Sequence, residues 1–105
     1  MENKKQILNT ENLVEYQEGT VVSKTLLDRE TGTITVFAFT KGEGLSEHTA
    51  PFDAFVYILD GKANIYIDGK EYLVDKGESI IMPKDLPHSL KAIEKFKMML
   101  VMIKG

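Results

Sequence analysis

The chain has 105 residues, of which 43% are hydrophobic and 28% charged, the proportions of one soluble domain with a single core. It is too short to hold a dinucleotide-binding unit beside a catalytic one. The net charge of −3 gives no pull toward nucleic-acid phosphates or anionic lipid, and the absence of cysteine removes disulfides, thiolate catalysis and cysteine zinc sites.

The polar start, Met1 to Lys5, leads into no apolar run. That predicts no signal peptide and makes the cytoplasm the default location. The longest mostly apolar stretch, Phe96 to Ile103, is far short of the ~20 residues of a membrane helix. Residues 1–19 form an N-terminal segment, expected to be loosely ordered or to pack on the domain proper, residues 20–105. Within it Asn12, with Glu15 three residues on, predicts a cap for one short helical turn holding Leu13, Val14 and Tyr16. Gly19 would end that turn.

From Thr20 onward the pattern is β. Val21 to Asp28 reads as a strand paired through Arg29-Glu30-Thr31-Gly32 with Thr33 to Thr40. In the second of these, Ile34, Val36 and Ala38 share one face, and Thr33, Thr35, Phe37 and Phe39 the other. Ala54 to Leu59 is apolar on both faces, as a strand covered on both sides is. Asp60-Gly61 and Asp68-Gly69 each predict a tight hairpin turn, since both residue types tolerate positive φ. Glu71 to Val74, Ser79 to Met82, His88 to Ala92 and Lys95 to Ile103 complete about eight strands. Turn signals at this spacing predict an all-β sandwich or barrel.

The chemistry is sparse. The two histidines, His48 and His88, both stand at strand ends, and strand ends converge at the mouth of a small β-roll. Ser46 and His48 have no acid in a position to orient the imidazole, so a serine nucleophile is weak. The glycines spell neither a dinucleotide fingerprint nor a P-loop. Tyr57, Tyr66 and Tyr72 fit packing or a pocket wall, and the late methionines, Met82, Met98, Met99 and Met102, fit core filling better than copper.

The stretch from Gly42 to Ala92 resembles the two motifs of the small single-domain cupins (cupin type 2), with a hairpin between them. Gly77, Pro83 and His88 carry the second motif; Gly42, Gly44, His48 and Gly61 carry the first in part. The resemblance implies a double-stranded β-helix, the cupin or jelly-roll barrel. It also implies a divalent metal held by two histidines of a His-x-His pair, a glutamate and a third histidine. Here His48 takes the first position and His88 the last, Ala50 replaces the second histidine, and Asp53 stands in the glutamate region. Asp85 replaces a usual glycine and Ala92 a usual asparagine.

Two functions stay open. The first is a small-molecule binder whose pocket at the barrel mouth is lined by His48, His88, Tyr57 and Met82, with a degenerate two-histidine metal site or no metal. The second is a metal-dependent enzyme, similar to the dioxygenase and isomerase cupins, with iron, manganese, nickel or zinc on His48, His88 and Asp53, or Glu47 as the carboxylate. A single arginine, Arg29, favours an apolar or aromatic ligand over phosphates. The last strand is apolar on both faces, with Met99, Val101 and Ile103 on the second. That predicts a homodimer, unless Leu13 to Tyr16 covers the face within one chain.

Overall fold

A computed structural model describes residues 6–104; the leader expectation, read from Met1 to Lys5, lies outside them. A 3-10 turn at Thr10–Leu13 precedes eight strands. These are β1 (Val21–Arg29), β2 (Gly32–Phe39), β3 (Gly44–His48) and β4 (Asp53–Ile67), then β5 (Lys70–Asp75), β6 (Ser79–Met82), β7 (His88–Lys91) and β8 (Phe96–Ile103). All pairings are antiparallel. One sheet runs β1-β2-β8-β4-β6, the other β3-β7-β4-β5. The all-β barrel expected from the turn spacing is the fold found. No helix among the described residues is long and apolar enough to cross a membrane.

β4 belongs to both sheets. Its first half pairs with β6 and β8, and its second half with β5 and β7. The chain crosses over at Gly61, where φ is +75° and the register with β8 slips between Ile58 and Asp60. This corrects the first of the two expected hairpins. Asp60-Gly61 bends one long strand instead of reversing it, because Ala63, Ile65 and Ile67 continue the same buried face as Ala54, Val56 and Ile58. The second hairpin forms as expected: Asp68 and Gly69 both have positive φ, 52° and 81°, and join β4 to β5.

The interior lies between the two sheets. Phe39 and Phe96 stack at 4.6 Å between centroids, and with Val56, Ile58, Ile65 and Met98 they are fully buried. A second, smaller cluster sits on the outer face of the first sheet. There Val14 is buried against Val36 and Ala38, with Leu13, Tyr16, Leu59 and Met99 around them. The N-terminal segment therefore covers part of the outer face. The Tyr16 hydroxyl donates to Asp60 Oδ2 at 2.6 Å, and the buried Lys97 donates from Nζ to the Glu11 carbonyl at 2.8 Å. The Tyr16 ring lies under both Lys95 and Lys97. Burial first, and then the bond to Asp60, hold the Tyr16 hydroxyl protonated far above the usual phenol range.

The helical turn falls earlier than Asn12 and Glu15 suggest. Asn9 precedes it, Asn12 lies inside it, and Val14 is already extended. Burying Val14 and Tyr16 on the sheet outweighs the weak local preference for a capped turn.

A side chain at Gly61 would run into the Lys95 carbonyl oxygen and come within 3.0 Å of Phe96 Cα, at a φ that side chains avoid. Gly69 has the same sign of φ with open space around it. Gly69→Ala is expected to cost about 1–2 kcal/mol. Gly61→Ala is expected to cost about 3 kcal/mol or more, because backbone must move as well. Urea unfolding of the two variants checks the contrast; equal losses would mean the crossover tolerates a Cβ.

Candidate functional site

The two histidines meet at one end of the barrel. β3 and β7 are neighbours in the second sheet, and His48 lies directly opposite His88. Their rings stand 4.4 Å apart between centroids, at 68°, edge to face. His88 is buried, whereas His48 is exposed. The pair thus joins the interior to the solvent.

Strict alternation would not produce this pair. Leu45 opposes Leu90 and packs on the core, so two residues later Glu47 would share its face. A bulge between Leu45 and His48 supplies one extra residue and brings His48 inward opposite His88. Ser46 and His48 therefore do not share a simple strand face, although they are two residues apart. The signal was present: Leu45 and His48 are three apart, and two inward residues on a strand need an even spacing unless a bulge intervenes.

The backbone sets the protonation of both rings. His48 Nδ1 lies 2.8 Å from the Ser46 carbonyl, and His88 Nδ1 lies 3.1 Å from the Leu86 carbonyl. A carbonyl oxygen only accepts, so each Nδ1 carries the proton when the ring is neutral. Each Nε2 is then an acceptor with a free lone pair. Among the described residues no buried side-chain nitrogen or oxygen lacks a partner, so His88 Nε2 is reached from the mouth. Burial lowers the His88 pKa from its ordinary 6.5; the bond to Leu86 acts the other way, and the neighbouring His48 lowers it further.

The neighbours of His88 along β4 and β7 are apolar. Ile67 on β4 lies opposite His88, and Leu90 follows two residues along the same face. Met82, buried on the inner face of β6, belongs to the same core cluster, and Leu45, Leu86 and Met102 pack against it. Backbone bonds pin the loop from β6 to β7: Asp85 N–H donates to the Ala50 carbonyl and Asp68 N–H to the Pro87 carbonyl, each at 2.8 Å. Asp85 has φ of +68°, the left-handed conformation that explains why glycine suits that place. Aspartate is among the side chains that tolerate it.

Two expected site residues stand elsewhere. Tyr57 opposes Met99 on the outer face of the first sheet, between the inward-facing Val56 and Ile58. Asp53 opposes Ile103 on that same outer face, and its Oδ1 accepts the Lys84 N–H at 2.9 Å. The phase of β4 is responsible, since Ala54, Val56 and Ile58 take the inward positions. Glu47 is exposed within the bulge. Among the described residues no group of three or more histidines, aspartates or glutamates could hold a metal ion. The set of His48, His88 and Asp53 is thus not assembled. Two imidazoles with no carboxylate do not fit a resident metal of the kind the resemblance implies.

A surface depression of about 490 Å³ lies at the opposite ends of β3 and β7, among Tyr16, Thr40, Lys41, Ile93 and Lys95. Sequence reading did not single it out. Tyr16, which lines it, already engages Asp60 and two lysines, whereas the histidine pair offers unused acceptors.

Residues 35–104 match the family described as Cupin domain. A conserved protein of unknown function from Streptococcus pyogenes is 39% identical, with a TM-score of 0.92, over 98% of this chain and 90% of that one. A "Cupin 2 conserved barrel domain protein" from Leptotrichia buccalis is 46% identical, with a TM-score of 0.90, over 92% of this chain and 47% of that one. A Streptomyces cyaneus protein named polyketide synthase CurC is 28% identical over 53 residues, which are 50% of this chain. The match covers only 34% of that curated relative's length.

The lowered His88 pKa has a sign that stability must follow. The unfolded imidazole takes its proton at the ordinary value of 6.5, and the folded one only at lower pH. Below that value the unfolded chain therefore binds more protons, and stability falls with pH until the folded ring also charges. His88→Gln removes this contribution. Urea midpoints at several pH values from 7.5 to 4.5 should converge between wild type and variant as the pH drops. Parallel curves would show that His88 is not desolvated.

Proposed function

This chain belongs to the cupin family, and on that premise we propose that it binds a small, largely apolar molecule at the barrel mouth through His48 and His88. The observation that carries the reading is the pair of backbone-anchored rings. With each Nδ1–H donating to a carbonyl, two neighbouring Nε2 atoms accept hydrogen bonds beside an apolar wall. A few convergent polar atoms in apolar surroundings are the usual composition of a ligand site. Two acceptors select a ligand with a hydroxyl or N–H donor. The only arginine, Arg29, lies on β1 of the first sheet, away from the pair, so nothing there grips a phosphate or carboxylate bidentately.

Neutral rings are needed for this role, because a charged imidazole donates at both nitrogens. Burial keeps His88 neutral to lower pH than an ordinary histidine. Affinity is therefore expected to hold at neutral pH and to fall as His88 protonates.

A nuclear magnetic resonance screen with phenols, small alcohols and indoles tests the reading. Ligands carrying a donor are expected to shift the Nε2 resonances of both histidines at pH 7.5. His48→Ala should weaken binding about tenfold, the loss of roughly one hydrogen bond, with little change in melting temperature. Binding that survives the double replacement of His48 and His88 by alanine would place the ligand elsewhere. Elemental analysis after dialysis against zinc, nickel, manganese and iron(II) tests the metal separately. Less than one ion per chain is expected, and one retained ion would restore the metal reading.

A further inference from the structure

We propose that Asp53 is a positioning residue for the histidine pair. Its carboxylate clasps the loop between β6 and β7, and through that loop it holds His88 in the form that presents Nε2 at the mouth. The inference rests on the reading that this Nε2 is the acceptor a ligand meets.

The sequence leaves the loop few ways to be held. It spans residues 83–87, and Pro83 and Pro87 have no N–H. Backbone donors remain on Lys84, Asp85 and Leu86. The first two are both taken by the stretch of chain that follows His48. Lys84 N–H donates to Asp53 Oδ1 at 2.9 Å, and Asp85 N–H to the Ala50 carbonyl at 2.8 Å. Ala50 is two residues past His48, and Leu86 is two residues before His88. The connection that leaves one histidine is thus fastened to the connection that enters the other, and the pairing of His48 with His88 closes the circuit.

Strand phase puts Asp53 in reach. Ala54 takes the inward position opposite Met82, the last residue of β6. Asp53 therefore stands outward, beside the point where β6 ends, and its side chain meets the first N–H past Pro83. A carboxylate makes a stronger bond to a backbone N–H than a neutral acceptor does. The ion pairs among the described residues, Lys62 with Asp75 and Lys76 with Glu11, do not involve Asp53.

The loop needs fastening at this point. Asp85, next to the clasp, has φ of +68°, a left-handed conformation that a Cβ disfavours and that persists where the surroundings impose it. Leu86 follows, and its carbonyl is the one that accepts from His88 Nδ1 at 3.1 Å. Relaxation of Asp85 to an ordinary φ turns the peptide planes beside it and draws the Leu86 carbonyl away from the ring. The far end of the loop is held separately, by the Asp68 N–H on the Pro87 carbonyl, so His88 keeps its place in β7. Without the carbonyl, the ring can carry its proton on Nε2, which converts the acceptor at the mouth into a donor.

Nitrogen-15 resonances of the two imidazoles, recorded at pH 7.5 without ligand, test the role. Both rings of the wild type are expected to carry the proton on Nδ1. Asp53→Ala should shift the His88 tautomer ratio about tenfold toward Nε2–H, the loss of roughly one hydrogen bond, and should speed exchange of the Lys84 N–H. Asp53→Leu, similar in size but without an acceptor, should do the same. Asp53→Asn keeps an oxygen in place and should retain the wild-type ratio. His48, held by the Ser46 carbonyl within β3, should not change in any of them. Asp53 is exposed, and circular dichroism checks that each variant folds. An unchanged His88 ratio in folded Asp53→Ala and Asp53→Leu would overturn the proposal, whatever happens to the melting temperature. So would Asp53→Asn behaving as Asp53→Ala does, since charge and not the bond would then be the link. The rings are read without ligand, so an unmoved His88 leaves the ligand reading intact, and a failed ligand screen does not alter the tautomer result.

Discussion

Strand β4 is hydrogen-bonded into both sheets, and the bend at Gly61 lets it serve both. The strand is 15 residues long, about three times the usual length. Straight, it could not follow two sheets that face each other across a core. At Gly61 the backbone takes φ of +75°, and the Lys95 carbonyl and Phe96 occupy the space that a side chain would need. Phe96 in turn stacks on Phe39 at the centre of the interior. The close approach of β8 at the crossover and the packing of the largest core residues are therefore one constraint. Bonds from Gly77 N–H to the Ile58 carbonyl and from Lys76 N–H to the Gly61 carbonyl, each 2.9 Å, tie the β5–β6 turn across the same bend.

The histidine pair depends on that crossover at one remove. The second half of β4 presents Ile67 to His88, and β7 presents His88 to His48. Each ring is held by a carbonyl two residues earlier in its own chain. This local bond fixes the ring's tautomer without help from a distant carboxylate. In many metal sites such a bond orients a ligand histidine. Here it does the same work for two acceptors, while Asp53 bonds the Lys84 N–H instead. That use of Asp53 is consistent with a cupin frame kept without its carboxylate ligand.

Most of the fold was legible because its signals are local. Alternation in β2, the Asp68-Gly69 turn and the short strands after Gly77 need only period-two patterns and turn chemistry. The Asp60-Gly61 bend was misread because a positive-φ glycine looks the same in a hairpin and in a crossover; only the identity of the next strand's partners separates them. The positions of Tyr57 and Asp53 were hidden for a different reason. Phe55, Tyr57 and Leu59 are as apolar as Val56 and Ile58, so composition could not say which set faces inward. The outer face is apolar because it too receives cover: Leu13, Val14 and Tyr16 over Leu59 and Met99. The two histidines were legible by position, but their partners were not. The bulge that pairs them is a property of β3 against β7.

β8 explains why one strand carries so much apolar surface. Its inward residues, Phe96 and Met98, are fully buried in the core. Its outward residues divide at Met99. On one side Lys97 and Met99 lie beneath the N-terminal segment; on the other, Val101 and Ile103 are progressively bare. A strand that served only the interior would alternate with polar residues. Asp53 connects this outer face to the mouth. One oxygen of its carboxylate accepts the Lys84 N–H in the loop that leads to His88, and its partner across the strand is Ile103. Through that bond Asp53 restrains the same loop whose carbonyl at Leu86 sets the tautomer of His88.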